Sequence, residues 1–210
     1  DIVRNSKEIG VPVVAKIEGA CEHCDGDNCT CIDVCRYDAP IYKRSQGPVI
    51  ENNKCLSCGE CIASCDFGAL ADKMEFIPVI DLLKDKDTPV FAAVAPAAVG
   101  QFGEEVTMGQ LRTALKLLGF EDMLEVALFA DILTIKEAFE FNHLVKSEKD
   151  FFLTSCCCPV WFNLTKKHYP QLYEHMSPSV SPMIAAGRIL KKLYRNAKVV
   201  FIAPCIAKKS

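Results

Sequence analysis

The chain has 210 residues, half of them hydrophobic, and carries a net charge of −3 at pH 7. This is enough apolar material for the core of one or two domains, and there is no basic excess of the kind that binds nucleic acid. No run of about eighteen apolar residues occurs, so no membrane span is expected; the longest weakly charged stretch, TPVFAAVAPAAVGQFG from Thr88, is broken by prolines and glycines.

Residues 1–19 form an N-terminal segment whose VPVVAKIE reads as an edge strand. Residues 20–72 carry nine of the thirteen cysteines. Cys55, Cys58, Cys61 and Cys65 follow C-x2-C-x2-C-x3-C, in which three thiolates wrap the corners of one 4Fe–4S cube and the fourth crosses to a second. Cys21, Cys24, Cys29, Cys31 and Cys35 form a looser upstream copy. The expected sets are therefore Cys35, Cys55, Cys58 and Cys61 for one cube, and Cys21, Cys24, Cys31 and Cys65 for the other. Cys31 is preferred to Cys29 because it keeps the x3 interval to Cys35. Zinc would show two separated C-x2-C pairs. Disulfides need an oxidising compartment, and no secretory pattern precedes these cysteines. Arg36 and Asp66 stand where a proline often follows the last cysteine, and an ionised Asp66 would lower a nearby cluster's potential.

From residue 73 to 210 the texture becomes alternating strands and helices, the pattern of a parallel α/β layer. EFIPVIDLLKDKD is a linking element and PVFAAVAP a buried strand. Thr107 and Gln110 form a capping box for the helix MGQLRTALKLLGF, with Gly119 as its stop. DMLEVALF is the next strand, ILTIKEAFEFNHLVK a helix, and FFLTS a strand ending at Cys156, Cys157 and Cys158. Pro159 suits the first turn of a helix. SPMIAAGRILKKLY is amphipathic, and AKVVFIAP is a strand leading to Cys205. Sites in open α/β sheets gather beyond the carboxyl ends of strands, so Pro96, Cys158 and Cys205 are expected to converge. The four histidines are scattered and read as ordinary surface or core residues.

TSCCCPVWF, KHYPQLYEHMSPSVSPM and FIAPCIAKKS together resemble the active-site domain of iron-only (FeFe) hydrogenases. APAAVGQFGEE and ADILTIKEAFEF add to the resemblance, which runs from about residue 20 to the last residue. It implies an H-cluster, a 4Fe–4S cube bridged by a cysteine to a two-iron unit bearing CO and cyanide. Cys158 and Cys205 would be cube ligands. Cys157 would pass protons to and from the two-iron unit, with Glu137, Glu140 and Ser177 continuing the path. Lys208 would contact cyanide, Pro96 and Pro182 would shape the backbone around these ligands, and Ala97 would border the cofactor where the family often has a serine that donates to cyanide. Glu137 and Glu140 share one helix face; without the resemblance they would read as a solvated face.

The fold class implied is a dicluster ferredoxin-like domain over 20–72, followed by the first part of an α/β hydrogenase domain over 73–210. The implied activity is interconversion of H2 with two protons and two electrons. Electrons would pass through two 4Fe–4S clusters to ferredoxin or another redox protein. Maturation proteins, a cytoplasmic location, and no nucleic-acid or membrane partner complete the expectation. Departures from the family pattern are Ala97 for serine, Ala203 for methionine, Met183 for a polar residue, and the extra Cys156. The family's third cysteine signature is not met before Ser210. The chain is therefore expected to be an inactive fragment of a protein roughly twice as long. Two alternatives stand beside the enzyme: an iron–sulfur assembly factor related to hydrogenases, and an H2-sensing protein.

Overall fold

The computed structural model describes residues 13–17, 19–21, 24, 29–44, 46–155 and 157–210. It divides into two units, one of residues 1–73, 158–174 and 205–210, the other of residues 74–157 and 175–204. Cys156 lies outside the described residues, as does most of the N-terminal segment.

The first unit is built from short pieces. Strand β1 (Val14–Lys16) pairs antiparallel with β4 (Leu70–Asp72), and β2 (Pro40–Lys43) pairs antiparallel with β3 (Gly47–Ile50). Between them lie two one-turn helices, α1 (Thr30–Asp33) and α2 (Glu60–Ala63). Each follows the same plan. A cysteine occupies the second helical position, and another lies four residues on, at Cys35 and Cys65. Its sulfur then accepts from the backbone N–H of Ala39 (3.5 Å) or Ala69 (3.3 Å). The core of this unit is partly made of cysteine, with Cys29, Cys31 and Cys61 buried beside Val14 and Leu70.

The second unit is a three-stranded parallel sheet in the order β6-β5-β7, comprising β5 (Val90–Val94), β6 (Asp122–Glu125) and β7 (Lys198–Ile202). All five residues of the central strand are buried, as a parallel strand covered on both faces requires. Alternation along the strand sends Val90, Ala92 and Val94 to one face and Phe91 and Ala93 to the other. The first face packs against Leu115, Phe120 and Met123, with side chains from α3 (Phe76–Lys84) and α4 (Met108–Leu117) beside them. The second packs against Val126, Phe129, Ala186 and Leu190, from the start of α5 (Ala127–Leu144) and from α7 (Pro182–Leu193). Helix α6 (Pro159–His168) belongs to the first unit.

Several expectations appear as drawn. Thr107 accepts from the Gln110 N–H, and the Gln110 side chain accepts from the Thr107 N–H at 2.8 Å, a complete capping box. Gly119 ends that helix at φ 110°. The linking element EFIPVIDLLKDKD contains a helix, α3. Two strand assignments are corrected. DMLEVALF is a strand only to Glu125, and Ala127 onward is helical. Glu125 pairs with Val94, the last residue of β5, so no ladder partner exists beyond it. FFLTS is reduced to a single bridge, Leu153 with Met176.

Thr107→Ala removes one half of the capping box. It should lower the free energy of unfolding by about 1 kcal/mol, read as a shift in urea midpoint at constant m-value.

Candidate functional site

The thiols of the first unit fall into two neighbourhoods. Cys21 and Cys31 each have Cys24 and Cys65 within electrostatic reach, and Cys31 also has Cys21. Cys61 has Cys55, Cys58 and Cys35 around it, with Cys31 also in range. The fourth cysteine of each motif, Cys35 or Cys65, thus has a cysteine of the other motif within electrostatic reach. A cavity of about 470 Å³ opens at the second neighbourhood, lined by Cys35, Cys55, Cys58 and Cys61 together with apolar side chains such as Val14 and Leu56. Burial, and then the neighbouring thiols, push Cys61 up to about 12 and Cys31 up to about 11. Cys29 is pushed up to about 12 by burial and by its hydrogen bond with Cys24, and it too sits against Cys21, Cys24 and Cys31. None of the described cysteines forms a disulfide.

This donor set suits a cationic cluster. Metal ligation deprotonates a thiol outright, and the crowding that raises these thiols is relieved when their charge is shared with iron. Among the described residues no group of three or more donors closes around a single metal ion. A four-iron cube holds its thiolates at separate corners, which is a wider arrangement. Ser57 adopts φ 60° in the loop after Cys55, and its N–H points at the Cys55 sulfur at 3.4 Å. Such a positive φ is uncommon outside glycine.

Cys158 and Cys205 belong to the same unit as these cysteines. Cys158 caps α6, and its sulfur accepts from the Trp161 N–H at 3.5 Å. Cys205 precedes a 3-10 turn, Ile206–Lys209, which packs on α6 and contains Lys208. Gly59 explains how that turn is seated. A Cβ at Gly59 would lie 2.7 Å from the Ile206 Cδ1 atom. Lys209 adds an ion pair to Asp72 and a hydrogen bond to the Lys73 carbonyl. Burial lowers the ammonium of Lys167, a residue of α6, from its ordinary value, while the Cys55 charge raises it and Lys166 lowers it.

The second unit holds Pro96, Ala97, Glu137, Glu140, Cys157, Ser177 and Pro182. Pro96 and Ala97 form a 3-10 turn directly after β5, Pro182 opens α7, and Cys157 is exposed. Glu140 is the centre of a polar network. Ser177 Oγ donates to its Oε2 at 3.0 Å, Ser179 Oγ donates to both carboxylate oxygens at 3.0 and 3.1 Å, and Lys136 Nζ lies 2.6 Å from Oε1. Lys136 also donates to Ser179 Oγ at 2.8 Å. Burial pushes the Glu140 carboxyl up, but the hydrogen bonds from Lys136, Ser179 and Ser177 outweigh it, and the net shift is downward. Glu137 Oε1, one turn earlier, is buried with no hydrogen-bond partner among the described residues. The sequence names Glu137, Glu140 and Ser177 as candidates, and the network adds Lys136 and Ser179 around Glu140. Lys136 was available from its i, i+4 spacing to Glu140. Ser179 carried no signal until the fold brought it there.

Comparison with known proteins matches residues 88–210 to a family model described as iron only hydrogenase large subunit, C-terminal domain. The chain is 27% identical to the NADP-reducing hydrogenase subunit HndD of Solidesulfovibrio fructosivorans, over 97% of this chain and 40% of that protein. It is 31% identical to iron hydrogenase 1 of Clostridium pasteurianum, over 80% of this chain and 40% of that protein. The chain thus spans about 40% of the length of both relatives. A solved [FeFe]-hydrogenase structure, from work on oxygen inactivation of the H cluster 2Fe subcluster, superposes with a TM-score of 0.55. The match has 27% identity and covers 64% of this chain and 39% of that one.

The Glu140 network yields a pH prediction. Its folded pKa is lowered, so its stabilising contribution is complete above the unfolded carboxylate pKa and disappears as pH falls through the folded value. Lys136→Met removes one donor and should cost about 0.5 kcal/mol at pH 7, the scale of a partly exposed i, i+4 pair. The cost should vanish in acid once Glu140 is protonated in both proteins. Urea unfolding at a series of pH values reads this, and a cost independent of pH would contradict it.

Proposed function

This chain belongs to the iron-only hydrogenase large-subunit family, and we propose on that basis that it works in the reversible conversion of H2 to two protons and two electrons. The observation that carries the reading is the hydrogen bond from Ser177 to Glu140 within the family-matched segment. It links a hydroxyl and a carboxylate, as a proton relay requires. Glu137 lies one turn away on the same helix with a buried, unpartnered oxygen. An orphaned buried carboxylate oxygen is costly unless something arrives to bond it, and a transferred proton meets that need.

Two 4Fe–4S clusters are assigned to the first unit, one on Cys21, Cys24, Cys31 and Cys65, the other on Cys35, Cys55, Cys58 and Cys61. The two thiol neighbourhoods and the cavity at the second of them support this assignment. Cys158 and Cys205 are assigned as two of the H-cluster ligands, each at the start of a helix or turn in the same unit. When bound, the H-cluster supplies the H2 chemistry. The chain's own residues hold and move the proton, with Cys157 as the exchanging thiol and Ser177, Glu137 and Glu140 beyond it. Lys208 supplies a point charge for cyanide. Pro96 and Pro182 shape the backbone, and Ala97 borders the cofactor. Electrons leave to a ferredoxin or another redox protein, and maturation proteins insert the two-iron unit. No helix among the described residues is long and apolar enough to cross a membrane; a cytoplasmic location is part of the proposal.

An iron–sulfur assembly factor needs no relay of this kind, and retention of Glu137, Glu140 and Cys157 favours the enzyme over it. Nothing in the described residues favours an H2 sensor. The exposed stripe of Leu128, Ile132, Ile135 and Phe139 along α5 fits a surface that more protein covers.

Two measurements test the reading. The chain expressed anaerobically should contain about eight iron and about eight sulfide, as two cubes require; about four of each would leave one cluster only. Cys31→Ser should lose one cluster and Cys29→Ser should keep both, with the reverse result moving the ligand to Cys29. In the matured protein, infrared bands of CO and cyanide are expected, and they exclude the assembly factor. Cys157→Ala should keep those bands while turnover falls by orders of magnitude; a Cys157→Ala protein of near-normal activity would displace Cys157 from the relay.

A further inference from the structure

Helix α6 does more than present Cys158. Its C-terminal half grips the loop that carries Cys55. Lys167 Nζ donates to the Asn52 carbonyl at 2.6 Å and to the Cys55 carbonyl at 2.5 Å. Asn163 Nδ2, one turn earlier on the same face, donates to the Leu56 carbonyl at 3.4 Å. His168 Nε2 lies 3.1 Å from the Lys54 carbonyl, and its ring packs 4.8 Å from that of Tyr37. Successive carbonyls of one short loop are thus taken by one helix. Ile206, next to Cys205, closes over Gly59 on the same loop.

The chemistry of Lys167 is unusual within this set. Its two acceptors are neutral carbonyls, which satisfy ammonium protons without cancelling the charge. Its ammonium is within electrostatic reach of the Cys55 sulfur. A cluster held by Cys55 becomes one charge more negative on reduction. A fixed positive charge at its edge favours that state, and cluster potentials respond to net charge and to the surroundings of the sulfurs.

Resting on the reading that Cys35, Cys55, Cys58 and Cys61 hold a 4Fe–4S cluster, we propose that Lys167 sets that cluster's reduction potential, raising it by holding an uncancelled positive charge at the Cys55 loop. The step it governs is a one-electron transfer. The oxidised cube accepts an electron from a low-potential donor, and no bond is made or broken. Helix α6 is the support, since it fixes the charge at one end and Cys158 at the other. Lys167 is a positioning and potential-setting residue; it touches no reacting atom.

The test is an EPR-monitored redox titration of the cluster-loaded protein beside iron and sulfide analysis. Lys167→Met should leave the iron and sulfide content unchanged and shift one cluster to a more negative potential. The expected change is roughly tenfold in the reduction equilibrium, about 59 mV for a one-electron couple. The other cluster should stay in place, and Lys167→Arg should restore most of the shift. Lys167→Gln keeps a hydrogen-bond donor for the carbonyls without the charge, and it decides the matter if the Met variant loses iron. A Gln variant with full cluster content and an unmoved potential would overturn the proposal. An unmodified protein holding no cluster at all would instead remove the functional reading beneath it.

Discussion

The packing of each motif's fourth cysteine near the other motif is the constraint on which the first unit depends. Each short helix, α1 and α2, puts one thiol into its own group and sends the thiol four residues on toward the other. Two groups built this way cannot form separately. Under the proposed ligation, the motif around Cys31 is complete only with Cys65, and that around Cys61 only with Cys35. The result is a small unit whose buried core is substantially sulfur. Burial, and then the neighbouring thiols, makes Cys31 and Cys61 resist ionisation. On the proposed assignment, iron would convert the same crowding into ligation, and folding and metal binding would be coupled for that reason.

The second unit solves a different problem with ordinary means. Its central strand is buried on both sides, and the alternation of Val90, Ala92 and Val94 against Phe91 and Ala93 assigns two helical layers to its two faces. Against this rigid background the polar network at Glu140 stands out. Burial pushes the Glu140 carboxyl up, and two hydroxyls and an ammonium bring it below its ordinary value. Glu137, on the same helix, has no such support. The two carboxylates lie one turn apart on α5, and of the two only Glu140 is bonded by hydroxyls and an ammonium among the described residues.

Much of this was legible in the chain because the signals are local. The cysteine spacings, the Thr107 box and the proline after Cys158 each concern a few consecutive residues, and the structure forms the corresponding cap and helix start. The misread segments failed where neighbours decide. The apolar run after Glu125 has strand composition, but β5 ends at Val94 and offers it no ladder partner. FFLTS has the same composition, and only Leu153 finds a bridge. The grip of Lys167 on Asn52 and Cys55 joins residues more than a hundred positions apart, and no spacing announces it. Ser179 was equally silent, since one serine among several in SPSVSP gains meaning only when Glu140 is placed beside it.

The crossed ligation is tested most directly by comparing the EPR spectra of reduced single-cysteine variants. Cys65→Ser should leave the same residual signal as Cys31→Ser, and Cys35→Ser the same as Cys61→Ser, because each pair strips the same cluster. A Cys65→Ser spectrum matching that of Cys61→Ser would show that each motif keeps its own fourth ligand, and the account of the first unit would be wrong.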